Sequence, residues 1–280
     1  MPIKTIRNLL IAVILPMAGT VFAEDCRPSL AGDHPNLVPP AGGAIITGHP
    51  VADERLRRIA RERGYRPQAR LADEKELAFP WSVHRCVVPH WIGLHKAALE
   101  AGHNITIVSG YRSVVRQRQI FLSKLFEFGI DTQAIAAGKH DEEIASILDF
   151  SALPGYSRHH SGFAIDIQQD TDGLSAFGDS PAYRWLAADN FSVARRFGFL
   201  PSYPRELPGQ GPVPEPWEFI WVGDATDLVD DDFEPAAGDE LLHSARRIVL
   251  AIDGREANTA TVQRNTRTRT DATIDELPGG

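Results

Sequence analysis

Ser157-Arg158-His159-His160-Ser161-Gly162-Phe163-Ala164-Ile165-Asp166-Ile167 is the stretch on which the reading of this chain turns. It has the form S-x-H-x-x-G-x-A-x-D. Its second half alternates as a β-strand does. Phe163, Ile165 and Ile167 fall on one face, Ala164 and Asp166 on the other. An Asp on an otherwise apolar strand needs a partner when it is buried. A metal ion is such a partner, and His159 lies just upstream to share it. Standing alone, such a pair would read as a capped turn histidine and a hydrogen-bonded strand carboxylate. Further along, Pro214-Glu215-Pro216-Trp217-Glu218 adds two carboxylates beside a tryptophan. Two or three ligands plus one free carboxylate is the outline of a one-metal hydrolase.

Working outward, Ile105-Thr106-Ile107-Val108 reads as a strand that delivers Ser109-Gly110-Tyr111-Arg112-Ser113 at its end. Ser113 then caps a helix reaching to about residue 128, stopped by Gly129. A short helix is expected over 53–63 with Gly64 as its stop. A better one spans 88–101, with Trp91, Leu94 and Ala98 on one side. Small helices are expected at 132–137 and 141–148. Ser180-Pro181 opens another that runs to 197. Residues 201–216 read as a long Pro- and Gly-rich loop, 218–222 as a strand and 241–252 as a last helix. Helices mixed with a few non-consecutive strands argue for an α+β fold.

The chain opens with a secretory signal pattern over 1–23: Lys4 and Arg7, an apolar centre over 9–15, then Val21-Phe22-Ala23 for cleavage. The apolar run is too short to favour a membrane span. Without Lys4 and Arg7 the formal charge of −8 becomes −10. An acidic exported protein is a poor partner for nucleic acid or an anionic membrane surface. Cys26 and Cys86 are the only cysteines, and an oxidising compartment would pair them. The expected organisation is a signal peptide (1–23), an N-terminal arm with a helix (24–86), a catalytic domain (87–223), then an acidic linker, a helix and a disordered tail (224–280).

Three ordered motifs carry a family resemblance. S-G-Y-R-S at 109–113 with Gln117, S-x-H-x-x-G-x-A-x-D at 157–166, and E-x-W at 215–217 resemble the zinc D-alanyl-D-alanine carboxypeptidases and dipeptidases. These are the LAS metallopeptidases, here in their VanY-like branch, and the likeness covers about residues 87–223. It implies a small, mostly antiparallel sheet flanked by helices. It places zinc on His159 and Asp166, the general base on Glu215, and a stabiliser of carbonyl negative charge on Arg112. Ser157 and Gln117 are carried over as substrate-binding positions, with Trp217 walling the site. His160 is read as a further ligand or a support to the ligands or, in preference to these, as a surface or substrate-side histidine. One residue departs: the third ligand of the family is the His of E-x-W-H, and this chain has Glu218 there. A carboxylate can replace it as a ligand. The more anionic set holds a cation well, polarises substrate less, and admits Mn²⁺ beside Zn²⁺.

The function this implies is an exported, periplasmic, monomeric metallopeptidase with no stable membrane insertion, removing C-terminal D-alanine from peptidoglycan stem peptides. Two alternatives stand beside it. One is a D,D-endopeptidase cutting cross-links; the other is a non-catalytic peptidoglycan-binding protein that has lost its third histidine.

Overall fold

The computed structural model describes residues 44–68, 71–223, 228 and 240–254. The signal pattern, the arm up to residue 43, Cys26, most of the acidic run and the tail beyond residue 254 lie outside the described residues. Cys86 is disulfide-bonded.

The fold is α+β, built on a four-stranded antiparallel sheet. Its strands are β3 (Ile105–Ser109), β4 (Ala164–Gln169), β5 (Phe199–Tyr203) and β6 (Glu215–Trp221), in the order β3-β4-β6-β5. A two-stranded hairpin, β1 (Leu77–Ala78) and β2 (Val83–His84), precedes it. The strand read from Gly162 to Ile167 is β4, and its Ala164, Ile165, Asp166 and Ile167 are all buried. The latter part of β5, from Pro201, falls in the stretch read as a loop. Pro201 cannot donate to a ladder and is tolerated here because β5 is an edge strand. Helix α8 (Glu240–Ile252) packs against that strand, turning Leu241, Ala245, Ile248 and Val249 inward.

Helices α1 (Pro50–Glu62), α2 (Val87–Glu100), α3 (Val114–Glu127), α4 (Thr132–Ala136) and α5 (Asp141–Leu148) lie near their expected places. α1 begins three residues earlier than its charge pattern suggested. His49 caps it by accepting from the Ala52 amide, and Pro50 fits the first turn. Its Arg- and Glu-rich face is solvated and ion-paired, Arg61 to Glu54 at 2.7 Å and Arg58 to Glu62 at 2.9 Å. The opposite face buries Leu56 and Ile59 against Phe121 and Leu125 of α3, Ile135 of α4, and Ile144 and Leu148 of α5. Truncating a buried Phe such as Phe121 to Ala would cost about 3–5 kcal/mol.

α6 (Leu174–Phe177) is short. α7 (Pro181–Arg196) is not one continuous helix. Asp189, Asn190 and Phe191 adopt φ of 52°, 52° and 60°. Asp and Asn tolerate the left-handed region. Phe191 is held there by packing, its ring edge-on to Phe219 at 6.2 Å and to Tyr183 at 6.3 Å.

Candidate metal centre

Sheet register does most of the assembly. Ser109, Asp166 and Glu218 are directly paired across β3, β4 and β6, so their side chains share one face. His159 arrives from the 3₁₀ turn Arg158–Ser161 that leads into β4. Gly162 closes that turn with φ 74°, a left-handed position that favours glycine. One ligand atom each from His159, Asp166 and Glu218 lies within 4.8 Å of the others, and all three residues are buried.

The atoms face inward for identifiable reasons. His159 Nδ1 is 2.6 Å from the Gly110 carbonyl oxygen, which can only accept. Nδ1 therefore carries a proton and donates, and Nε2 points into the cluster. Nε2 lies 3.3 Å from Asp166 Oδ1 and 3.4 Å from Glu218 Oε2. Gly110 can pack this close to the β1–β2 hairpin only because it lacks a side chain. A Cβ there would meet the Trp81 and Ser82 carbonyl oxygens at 2.5 and 2.6 Å. Asp166 Oδ1 is buried and, apart from His159 Nε2 at 3.3 Å, has nothing in the cluster to satisfy it. Ser202 Oγ donates to Glu218 Oε1 at 2.5 Å, so Oε2 is the oxygen left facing His159.

These residues fit a divalent cation. One imidazole nitrogen and two carboxylate oxygens converge, and one of those oxygens is otherwise unsatisfied. Their electrostatics say the same. Burial works against a charged His159, but Asp166 and Glu218 outweigh it and lift the imidazole to about 10. Burial likewise opposes a charged Glu218. His159, the Ser202 hydroxyl and Arg158 overcome it and hold the carboxyl down at about 2. A proton on Nε2 thus balances two carboxylates where a cation would sit.

Glu215 and Glu218 would take opposite faces of a regular strand. The pairing of β5 with β6 shifts register between Pro201 and Tyr203, and Glu215 comes within direct reach of Glu218. Burial, then the charges of Glu218 and Asp166, push Glu215 up to about 9. Arg112 closes another side. Its Nη2 is 3.8 Å from Asp166 Oδ2 and donates to Ser109 Oγ at 3.4 Å, while Nη1 donates to Gln117 Oε1 at 3.0 Å.

Gln117, carried over as a substrate position, is fully buried. Its amide nitrogen bonds the Ala152 carbonyl at 2.7 Å and Ser151 Oγ at 3.4 Å. As placed, it orients Arg112. Ser157 is buried at the head of the His159 turn, and its carbonyl accepts from the His160 amide. Trp217 is half-buried on β6 between the two glutamates.

His160 is not at the surface. It is completely buried, with Nδ1 donating to the Arg112 carbonyl at 2.6 Å and Nε2 accepting from the Gly155 amide at 3.0 Å. Burial keeps it neutral, down at about 4. It ties the Arg112 segment to the turn that carries His159. Sequence reasoning also missed Ser202 and Gln210, which hold Arg158, and the Ser202 hydroxyl that donates to Glu218. The only signal was Arg158 itself, a cation written beside His159.

The family model for VanY, D-alanyl-D-alanine carboxypeptidase, matches residues 81–224, which contain every residue of this cluster. The chain belongs to that family. Among relatives of the VanY type, a D-alanyl-D-alanine carboxypeptidase of Enterococcus faecalis is 32% identical over 138 residues, 49% of this chain and 47% of that protein. The bifunctional D-Ala-D-Ala dipeptidase and D-Ala-D-Ala carboxypeptidase VanXYC of Enterococcus gallinarum is 32% identical over 126 residues, 43% and 57% of the two chains. This chain thus spans about half the length of the curated relatives it matches. A solved variant of the vancomycin-resistance D,D-pentapeptidase VanY, in complex with Zn(II), is 29% identical with a TM-score of 0.43, covering 56% of this chain and 84% of that one. Among the described residues no helix is long and apolar enough to cross a membrane.

Proposed function

We propose that this VanY-family chain is an exported, zinc-dependent carboxypeptidase that removes C-terminal D-alanine from peptidoglycan stem peptides. The observation that carries the reading is the cluster itself. Three buried ligand atoms converge, one of them the Asp166 oxygen that lacks a hydrogen-bond partner, with Glu215 on one side and Arg112 on the other. His159 through Nε2, Asp166 through Oδ1 and Glu218 through Oε2 would hold one ion, Zn²⁺ or, given two carboxylates, Mn²⁺. When bound, such an ion polarises a peptide carbonyl and acidifies a water.

The residues around it do the rest. Glu215 takes a proton from the attacking water and returns it to the leaving amine. A carboxyl raised toward neutrality suits both halves of that task. The Arg112 guanidinium, fixed by Gln117 and Ser109, stabilises negative charge as it builds on the carbonyl oxygen. Ser157 and Trp217 line the approach of the substrate. The non-catalytic alternative rested on the loss of a third histidine. Glu218 is turned into the cluster and held there by Ser202, which supports a working ligand in its place.

The test is incubation of purified protein with a defined stem pentapeptide and with cross-linked dimers, with and without a chelator. Free D-alanine and a tetrapeptide, lost on chelation, are expected. Cleavage of dimers with intact pentapeptide would replace the reading by an endopeptidase. No product from metal-loaded protein would overturn it.

A further inference from the structure

Arg158 is an unusual residue to find next to a metal ligand. It is buried at 4% exposure, yet among the described residues no carboxylate pairs with its guanidinium directly. Its Nη1 donates to both the carbonyl and the hydroxyl of Ser202, the latter at 3.0 Å. Its Nη2 donates to Gln210 Oε1 at 2.9 Å, and its guanidinium lies over the Tyr203 ring, 4.1 Å from the centroid. Each of these contacts pins the guanidinium in one orientation.

We propose that Arg158, acting through Ser202, is a positioning residue for Glu218 that keeps one carboxylate oxygen turned toward the metal. The proposal rests on the reading of His159, Asp166 and Glu218 as ligands. Its chemistry is directional. Arginine can only donate, so Ser202 Oγ must accept from it and spend its own proton elsewhere. The acceptor in reach is Glu218 Oε1, at 2.5 Å. The hydroxyl rotor is thereby fixed, and both of its bonds are charge-assisted. Glu218 Oε1 is occupied, and Oε2 is left facing His159 Nε2 at 3.4 Å.

The arrangement answers two problems that a carboxylate creates at this position. A glutamate is flexible and offers two equivalent oxygens, either of which could turn away; the Ser202 bond removes that freedom. It also adds charge to a buried site that already contains Asp166 and Glu215. A cation one hydroxyl away offsets that charge without competing for the ligand oxygens. Sequence and strand order bring the parts together. Arg158 precedes His159 on the same turn, Ser202 sits on β5, and Glu218 sits on the neighbouring β6.

The experiment measures metal dissociation constants by chelator competition for the parent, Ser202→Ala, Arg158→Lys, their double variant and Glu218→Ala, with folding followed by circular dichroism. The visible spectrum of the Co(II)-loaded forms is a second readout of ligand geometry. Ser202→Ala is a small change that keeps the fold and carries the decision if Arg158→Lys unfolds. Ser202→Ala and Arg158→Lys should each weaken binding about 10–100-fold, as loss of a group that orients a ligand does. The double variant should be no weaker than the worse single, because both act on one oxygen. The Co(II) spectrum should change in each. Parent-like affinity and spectrum in Ser202→Ala, with metal lost in Glu218→Ala, would overturn the positioning role and leave the ligand assignment standing. A weakened Ser202→Ala beside a folded, parent-like Arg158→Lys would overturn the part given to Arg158. Parent-like metal binding in Glu218→Ala would instead remove the ligand reading and this proposal with it.

Discussion

Metal uptake by this protein should expel protons, and their number follows from the geometry. In the metal-free cluster Asp166 and Glu218 flank His159 Nε2 at 3.3 and 3.4 Å and hold its proton up to about pH 10. Nδ1 is committed to the Gly110 carbonyl, so Nε2 is the atom a cation must take. At about pH 7.5 fewer than about one imidazole in a hundred would be neutral, and binding must displace one proton. Apparent affinity should therefore rise about tenfold, or about 1.4 kcal/mol, per pH unit from about pH 6 to about pH 9. An unperturbed histidine would level off above about pH 7 instead. Glu215, raised to about 9, adds up to a second proton if it ionises beside the cation. Calorimetric titration near pH 7.5 in two buffers of different ionisation enthalpy counts these protons directly. Release of between about one and two is expected. Tight binding with no proton release would refute the argument: either the ion does not sit on His159 Nε2, or the imidazole is already neutral at that pH.

The same linkage sets the stability of the metal-free form. A raised His159 contributes fully below about pH 6.5, and the contribution fades as pH climbs toward about 10. Metal-free protein should thus lose melting temperature over that alkaline range. A depressed Glu218 contributes above about pH 4.5 and is lost as pH falls toward about 2, which a second melting series at acid pH checks. Glu215→Gln should bind metal as the parent does but lose about 10²–10⁴-fold in turnover, measured as D-alanine release; near-parent turnover would move the base elsewhere. His160→Ala should lose about 1–3 kcal/mol in denaturant unfolding, since it strips partners from the buried Gly155 amide and Arg112 carbonyl. Gly110→Ala should fail to fold or to bind metal, because its new carbon meets two carbonyl oxygens near 2.5 Å. A folded, metal-loaded Gly110→Ala by circular dichroism and elemental analysis would contradict that.

The legible parts of this molecule were those with local signals. Alternation from Phe163 to Ile167 placed β4, and Ser113 and Ser180 marked helix starts through caps that do accept the Arg116 and Tyr183 amides. The strand read over 218–222 falls in the regular part of β6, where Glu218, Phe219 and Ile220 pair with Asp166, Ile165 and Ala164. β5 was hidden because Pro201 and the Gly-rich stretch around it look like loop, and only its edge position makes a proline acceptable there. The contact of Glu215 with Glu218 needs a register shift that no alternation pattern contains. His160 shows the same limit. Next to a ligand it suggested substrate, yet what decides its role is a carbonyl 48 residues away in sequence, at Arg112. Residues that support a site through non-local hydrogen bonds leave little trace in local sequence.

The central claim is that one ion sits among His159, Asp166 and Glu218, and anomalous diffraction at the zinc edge from a zinc-loaded crystal tests it most directly. The account predicts a single strong peak about 2.0–2.2 Å from His159 Nε2, Asp166 Oδ1 and Glu218 Oε2 together. A peak that leaves Glu218 out of contact, or no peak among these three residues, would contradict it.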